Sequence, residues 1–352
     1  MESTKTGLNT IKGISELLES GDLKELGSLA NLKRKELHKD SNIVTFVIDR
    51  NINYTNICSC KCRFCAFNRD FGDEDAYFLD YHVIKQKTQE LVSAGGTQLL
   101  LQGGLNRDLP LEYYLGLLKC LRNDFPELSI HAFSPSEISF IADNNGLSTK
   151  ELLEIFINSG LSSIPGGGAE LLCDEVRYKL SPAKISSQKW LDIMETAHHL
   201  GLKTTATMVF GFGESPRHIA EHLLKIKELQ AKTGGFTAFI PWTFAPSGNF
   251  PGLAQVLNNT AHDYLKVLAV SRLVLDNILN IQASWVTQGL NIAQAALNFG
   301  ANDFGGTMIE ENVVKAAGVI NKTNADEVIQ LIRKAGFTPA QRNTSYKILK
   351  TF

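Results

Sequence analysis

Short apolar runs alternate with amphipathic segments along most of the chain. The runs are rich in Val, Ile, Leu and Phe, as buried parallel strands are. They predict eight strands: Ile43–Ile48, Thr97–Leu101, Leu128–Phe133, Leu161–Ile164, Lys203–Phe210, Phe236–Ile240, Leu279–Ala283 and Asp303–Phe304. Apolar residues at helical spacing predict the helices between them: Tyr81–Ser93, Pro110–Asn123, Thr149–Asn158, Ser186–Leu200, Pro216–Lys232, Ala261–Asn277 and Gln288–Phe299.

This alternation predicts an α/β fold, a (β/α)8 TIM-type barrel. An open, doubly wound sheet is the alternative, and it is disfavoured because no dinucleotide-type glycine-rich turn follows the first strand. Residues 1–40 are predicted to form an N-terminal helical cap with a break at Gly21-Asp22, and residues 41–320 the barrel. Residues 321–352 are predicted as a C-terminal helical extension, one helix followed by a polar tail.

Composition and charge exclude several classes of function. The chain has 352 residues, 43% of them hydrophobic, which suffices for one large core. Its net charge is −2, with Lys and Arg dispersed, so we expect neither nucleic acid nor an anionic membrane as a partner. No apolar run approaches the ~20 residues that span a bilayer, and the first residues lack an apolar signal core. We therefore expect a cytoplasmic protein without disulfides.

Four of the six cysteines lie close together after the first predicted strand. Cys58, Cys62 and Cys65 have the spacing C-x3-C-x2-C, with Phe64 before the last, and Cys60 lies in the first gap. A zinc site would draw a second pair of ligands from a dozen or more residues away, and no such pair exists. A [4Fe–4S] cluster held by three thiolates, with one iron left open, fits better. Cys60 is expected to point away from it.

The motif C-x3-C-x-aromatic-C resembles that of the radical S-adenosylmethionine (SAM) superfamily. The resemblance implies that the open iron binds the amino and carboxylate groups of SAM, with Phe64 near the adenine. It also implies that a glycine-rich turn after the second strand binds the methionine amino group. Gln102, Gly103 and Gly104 occupy that position, although the family's usual Glu is absent. A simple tight turn is the alternative.

Two further strand ends are candidates for SAM contacts. Three successive glycines precede Glu170, which could hold a pair of ribose hydroxyls or simply favour a helix N-terminus. The end of the fifth strand is similar to the family motif G-x-I-x-G-x-x-E. Val209, Gly211 and Glu214 match that motif, while Thr207 replaces its first glycine.

Titratable side chains at the strand ends are candidates for proton transfer. His131 lies in the third strand, with Ser134 and Glu137 just behind it, and Asp303 opens the eighth. A lone His in an apolar strand is as often a buried structural residue as a catalyst. We name His131, Glu137 and Asp303 as candidate bases.

Candidate substrate contacts follow the sixth and seventh strands. Trp242 and Trp285 could pack an aromatic substrate or belong to the core. Thr287, Gln288 and Ser134, together with Arg69 of the cysteine loop, could bind a substrate carboxylate.

Several stretches are similar to the cyclic dehypoxanthinyl futalosine synthases of menaquinone biosynthesis: IPGGGAELL, TTATMVFGFGESPRHIAEHL, ELQAKTGGFTAFIPWTFAP, SWVTQG and GANDFGGTMIEENVVKAAG. The resemblance implies an oxidoreductase that cyclises dehypoxanthine futalosine. A 5′-deoxyadenosyl radical would take hydrogen from ribose C4′, and the carbon radical would attack the benzoate ring. The ring would then lose one electron and one proton. Flavodoxin or ferredoxin would supply electrons. Aminofutalosine synthase, or a non-enzymatic cysteine-rich metal or electron-transfer protein, is the alternative.

Overall fold

The computed structural model describes residues 7–39, 41–245 and 260–352. No helix among these residues is both long and apolar enough to cross a bilayer. The strands are β1 (Ile43–Val47), β2 (Asp49–Asn53), β3 (Gln98–Gln102), β4 (Ser129–Ala132), β5 (Ser163–Ile164), β6 (Lys203–Phe210), β7 (Phe236–Thr243), β8 (Asn280–Ile281), β9 (Asp303–Gly306), β10 (Thr338–Arg342) and β11 (Ile348–Thr351).

Helices connect most of the successive strands. They are α1 (Ile11–Ser20), α2 (Leu23–Leu37), α3 (Tyr81–Ser93), α4 (Leu111–Asp124), α5 (Pro135–Asn144), α6 (Thr149–Ser159), α7 (Asp174–Leu180), α8 (Ser187–His199), α9 (Pro216–Thr233), α10 (Ala261–Val274), α11 (Trp285–Gln288), α12 (Leu290–Ala296), α13 (Val313–Ala316) and α14 (Ala325–Lys334), with a 3-10 turn at Leu297–Phe299.

The predicted TIM-type α/β fold is confirmed. Strands β2 to β8 form a parallel sheet in chain order. A parallel bridge between Gln282 and Asp303 joins its far edge to β9, and β9 pairs in parallel with β1. Since β1 continues into β2 after a single residue, hydrogen bonds pass around a ring of eight strand positions. The strands' carboxyl ends, where such barrels place their chemistry, therefore meet at one mouth.

The first strand position is longer than its apolar run predicts. The segment DRNIN of β2 is polar, yet every residue in it is buried, because Asp49 and Asn51 face the barrel interior. A barrel interior tolerates polar side chains that its neighbours or a ligand can satisfy. Because its residues are polar, the apolar pattern does not predict this strand, which leads directly into the cysteine loop.

The N-terminal helices pack outside the ring. Thr10 caps α1 and Asp22 caps α2, so the chain breaks where Gly21-Asp22 predicts. The buried faces of α1 and α2 contact α9 and α10. Residues 1–6 and 40 of the predicted cap lie outside the described residues.

The predicted polar tail forms a β hairpin. Strand β10 pairs in parallel with one edge of β1, and further along the chain the same edge of β2 pairs with β3. Strand β11 pairs antiparallel with β10. Because β10 runs in the same direction as β1, the turn that follows it points up the barrel axis. This turn carries Arg342, Thr344 and Tyr346 into the interior. The sequence pattern does not predict either strand, since the alternation of polar and apolar residues is weak there.

Candidate active site

Two adjoining cavities lie inside the mouth of the barrel. The smaller, of about 250 Å³, is lined by all four clustered cysteines, and the larger, of about 300 Å³, extends down the barrel axis. Phe64, Gln102, Gly167 and Glu170 border both cavities. Volumes of this size suit small molecules, and the shared walls allow groups bound in the two cavities to touch.

The cysteine loop is held by backbone hydrogen bonds at the mouth. Cys58 N–H donates to Arg69 and Ser59 N–H to Leu105, so the loop is tied to itself and to the turn after β3. Gly104 permits this approach, since a Cβ there would lie 2.2 Å from the carbonyl oxygen of Ile57. The loop is therefore a fixed platform whose thiols share one cavity.

Cys60 corrects an expectation. It does not point away: its Sγ lies 3.6 Å from the Sγ of Cys62, because Lys61 adopts a left-handed backbone conformation that turns both thiols to one side. The hydrogen bond with Cys60 lowers the pKa of Cys62 to about 6. The positive charge of Lys184 also lowers this pKa, whereas burial raises it. The same hydrogen bond, together with burial, raises the pKa of Cys60.

These residues fit an iron–sulfur cluster better than a single metal ion. No three His, Cys, Asp or Glu side chains in the described ranges converge on one ion-sized point. A cluster of four irons needs thiolates spaced around a larger body, as a loop lining a cavity provides. The hydroxyl of Ser136 faces the same cavity and is buried without a partner in the described chain. A group bound in this cavity would give the hydroxyl a partner.

Glu170 lies in a charged cluster on the wall between the cavities. Its Oε1 accepts a hydrogen bond from Lys184 Nζ at 2.7 Å, and its Oε2 lies 3.5 Å from Arg177. Burial lowers the pKa of Lys184, but the charges of Cys62 and Glu170 outweigh burial and the net shift is upward. Lys184 also lies 5.5 Å from the centre of the Phe64 ring. The sequence analysis missed Lys184, which has no motif of its own.

Gln102, Gly103 and Gly104 end β3 at the mouth, where the sequence predicts them. The Gly103 N–H donates to Glu137 Oε1, which also accepts from the Tyr54 hydroxyl. The other oxygen, Oε2, accepts from the Ser134 N–H and hydroxyl, forming the capping box of α5. Burial raises the pKa of Glu137, although its donors oppose that shift. With four donors already bound, this carboxylate braces the turn and has little capacity left for a substrate proton.

His131 lines the larger cavity. Its Nδ1 lies 2.6 Å from the Ser163 hydroxyl, and burial, with the charge of Arg342, lowers the pKa of His131 to about 3. The imidazole is therefore neutral near pH 7, and a pKa this low makes it a weak proton acceptor.

The fifth-strand motif is divided between two roles. Val209 lines the larger cavity, and its N–H donates to the Glu170 carbonyl. Glu214 instead accepts from the N–H groups of Gly211 and Phe212, and so shapes the turn. Phe212 in turn packs 5.3 Å from Phe64, centre to centre, at the edge of both cavities.

Asp303 lies away from the mouth. It is fully buried at the start of β9, paired through two oxygens with Arg342 and bonded to the Thr45 hydroxyl. A carboxylate satisfied in this way is a structural anchor for the hairpin, and this geometry disfavours it as a base.

The candidate substrate residues separate into two groups. Trp242 lies within β7 and lines the larger cavity. Trp285 is 2% exposed and donates to the Gly306 carbonyl as part of the core. Thr287 and Gln288 bond to Thr243, outside the lining of either cavity. Arg69 of the cysteine loop pairs with Asp75 within that loop.

The bottom of the larger cavity is polar. We call its members, Asp49, Asn51, Arg342, Thr344 and Tyr346, the floor. Burial raises the pKa of Asp49 to about 6, against the hydrogen bond from the Met308 N–H and the charge of Arg342. Nothing in the sequence marks the floor, because its members come from opposite ends of the chain.

Comparisons with known proteins agree with this site. Residues 52–226 match the radical SAM superfamily model, and residues 233–352 match the CofH/MqnC C-terminal region. The chain is 47% identical, over 96% of its length and 90% of the relative's, to the cyclic dehypoxanthine futalosine synthase of Halalkalibacterium halodurans. It is 41% identical, over 93% of its length and 90% of the relative's, to the 5-amino-6-(D-ribitylamino)uracil–L-tyrosine 4-hydroxyphenyl transferase of Methanothermobacter thermautotrophicus.

A solved structure shares the fold. That of methylornithine synthase superimposes with a TM-score of 0.73 at 20% identity, covering 96% of this chain and 97% of the other. The chain belongs to the radical SAM superfamily and is an enzyme of it. Membership implies a [4Fe–4S] cluster and SAM as cofactors, a small-molecule substrate, and chemistry at the barrel mouth.

Proposed function

We propose that this enzyme cyclises dehypoxanthine futalosine in menaquinone biosynthesis. The observation that carries the proposal is the pair of adjoining cavities, one lined by thiols and one by apolar walls with a polar floor. The name of the Halalkalibacterium relative supports the choice of substrate. When bound, the cluster and SAM supply a 5′-deoxyadenosyl radical that removes hydrogen from a substrate carbon.

In this proposal Cys58, Cys62 and Cys65 would hold the cluster and leave one iron open, with the Sγ of Cys60 3.6 Å from that of Cys62. The glycine turn at Gly103-Gly104 and the unpartnered hydroxyl of Ser136 face the methionine end of SAM. Glu170 faces its ribose, while Phe64 and Val209 border the adenine. Gly211 and Glu214 hold the turn at that border.

The substrate lies in the larger cavity, where Trp242 packs against its aromatic ring. Apolar walls exclude water and stray hydrogen donors from the reacting carbons. His131 borders this cavity and is the candidate acceptor of the final proton; with a pKa of about 3 it is a weak base, adequate for a proton that leaves to restore an aromatic ring. The proposal includes a flavodoxin or ferredoxin as electron donor and a cytoplasmic location, where thiols stay reduced.

The test is turnover by anaerobically reconstituted protein with SAM and reductant. The reaction should yield 5′-deoxyadenosine from SAM, and from dehypoxanthine futalosine a cyclised product with the same number of carbon atoms and two fewer hydrogens, measured by mass spectrometry. Turnover of the enolpyruvyl benzoate substrate instead would assign the chain to aminofutalosine synthesis. Turnover of tyrosine with 5-amino-6-(D-ribitylamino)uracil would assign it to the activity of the Methanothermobacter relative. A cluster whose EPR signal ignores SAM would indicate the non-enzymatic alternative.

A further inference from the structure

Two buried polar atoms on the floor have no hydrogen-bond partner. They are the Oδ1 of Asn51 and the hydroxyl oxygen of Thr344, each shielded from bulk solvent and each on a residue that lines the larger cavity. No partner for either occurs within the part of the chain that the structure describes. Leaving a buried polar atom unpaired costs about 1–3 kcal/mol, so a ligand is the natural partner.

The positions of these residues are set by the strands. Val47, Asp49 and Asn51 alternate with outward residues and so point into one cavity. Register pairs Asn53 with Gln102. At ~3.3 Å per residue, Asn51 lies about 7 Å below the level of Gln102. A sugar ring bound there can touch both the floor and the SAM cavity.

The charge of the floor excludes a carboxylate ligand. Arg342 is neutralised by Asp303, which it contacts through two nitrogens. Asp49 adds a second carboxyl group, bonded through Oδ1 to the Met308 N–H. An anion placed beside these two acids would be repelled. Asn51 Oδ1 and the Asp49 carboxylate are hydrogen-bond acceptors, and they suit a neutral group that carries several O–H donors.

We propose that Asp49, Asn51 and Thr344 bind the hydroxyl groups of the substrate's ribose, while its carboxylate is held elsewhere. This inference rests on the proposed function, which supplies the sugar-bearing substrate. The C-terminal hairpin, which brings Thr344 beneath the cavity, is then part of the recognition site.

The test combines variants with altered ligands. Dissociation constants are measured on anaerobic, cluster-loaded enzyme with SAM and without reductant, so that no turnover occurs. Thr344→Val should weaken binding of dehypoxanthine futalosine about fivefold, as loss of one hydrogen bond predicts. It should raise rather than lower the melting temperature of the ligand-free protein, because the buried hydroxyl that it removes has no protein partner. Asn51→Leu should weaken binding similarly. Thr88→Val, whose hydroxyl bonds within α3, is the matched control and should bind normally.

Deoxygenated ligands decide which group the floor holds. The 2′-deoxy or 3′-deoxy analogue should bind about fivefold more weakly to the wild type, yet that difference should vanish in whichever variant has lost the contact. A carboxamide analogue of the benzoate should lose binding affinity by the same factor on the wild type and on every variant. The inference is overturned if the variants abolish only the affinity difference between dehypoxanthine futalosine and its carboxamide analogue. It is also overturned if both variants bind dehypoxanthine futalosine as tightly as the wild type does. A wild type that converts no dehypoxanthine futalosine overturns the proposed function as well.

Discussion

The mouth and the floor of the barrel are built in opposite ways. The mouth gathers its chemistry from one short loop, with four cysteines between positions 58 and 65, and from turns that immediately follow strands. The floor joins Asp49 and Asn51 near the beginning of the barrel to Arg342, Thr344 and Tyr346 near the end of the chain. Local spacing therefore encodes the mouth, whereas only the closed fold brings the floor together.

The comparison predicts that mouth variants lose chemistry and floor variants lose stability or substrate affinity. Cys58→Ala, Cys62→Ala and Cys65→Ala should each abolish bound iron and 5′-deoxyadenosine formation, because a three-thiolate site has no spare ligand. Iron content and product are measured after anaerobic reconstitution.

Cys60→Ala and Cys120→Ala are the controls for the cysteine variants. Cys60→Ala removes one hydrogen bond to Cys62 and should cost less than about tenfold in rate. Cys120, on α4, should be silent. Full loss of iron in Cys60→Ala, with iron retained in one of the three others, would reverse the ligand assignment.

The largest effect at the floor is expected from Arg342→Met. This change leaves Asp303, which is fully buried, without its cation, and should lower the free energy of unfolding by about 3–5 kcal/mol. The melting temperature of cluster-loaded protein is the measurement. The double variant Arg342→Met with Asp303→Leu should recover part of the loss. An unchanged melting temperature in the single variant would show that the hairpin is not anchored here.

The difference in stability between Asp49→Asn and the wild type should depend on pH. Burial raises the pKa of Asp49 in the folded protein to about 6 from its ordinary value of 3.8, so ionising Asp49 destabilises the folded protein. The stabilising effect of the raised pKa is fully present below pH 4 and is lost as pH rises through 6. The free energy of unfolding of the variant should therefore exceed that of the wild type by about 3 kcal/mol at pH 8 and by less at pH 5.

Melting curves of both proteins between pH 5 and 8 check this prediction. Burial sets the upward shift of the Asp49 pKa and the charge of Asp303 adds to it, while the charge of Arg342 and the Met308 N–H on its Oδ1 oppose it. Gly306 allows their approach, since a Cβ there would lie 2.3 Å from the Asp49 carboxylate. A constant difference across the pH range would mean that Asp49 keeps an ordinary pKa.

The sequence predicts the α/β barrel, the cysteine loop and the glycine turns because each depends on neighbours a few residues apart. It does not predict β2, since DRNIN is polar although buried, or the hairpin, whose strands pair with the beginning of the barrel. The sequence does not single out Lys184 for a related reason: its partners, Glu170 and Cys62, lie on separate segments of the chain.

Glu137 shows the opposite case, a local pattern that already accounts for a residue named as a candidate base. The letters Ser134-Pro135-Ser136-Glu137 fit S-x-x-E with proline at the first helical position, which is a capping box. That local explanation accounts for the residues before any catalytic role is needed. His131 differs from its neighbours in the motif because it borders the cavity and is bonded through one ring nitrogen only.

The smallest expected effect separates these two roles at the mouth. Glu137→Gln replaces one of two acceptor oxygens with a donor that faces bound N–H or O–H groups, and should lower stability by about 1–3 kcal/mol. Glu151→Gln is the matched control, because Ser148 and Glu151 form the same capping box at the solvent-exposed N-terminus of α6. It should cost less than about 1 kcal/mol.

Kinetics then distinguish a brace from a base. Because Glu137 holds the Gly103 N–H at the turn proposed to bind SAM, Glu137→Gln should raise the KM for SAM and leave the yield of cyclised product per 5′-deoxyadenosine unchanged. His131→Asn, which removes the proposed acceptor of the final proton beside the larger cavity, should lower that yield instead. If Glu137→Gln lowers the product yield at saturating SAM while its melting temperature matches that of Glu151→Gln, the carboxylate takes part in proton transfer and the brace assignment is wrong.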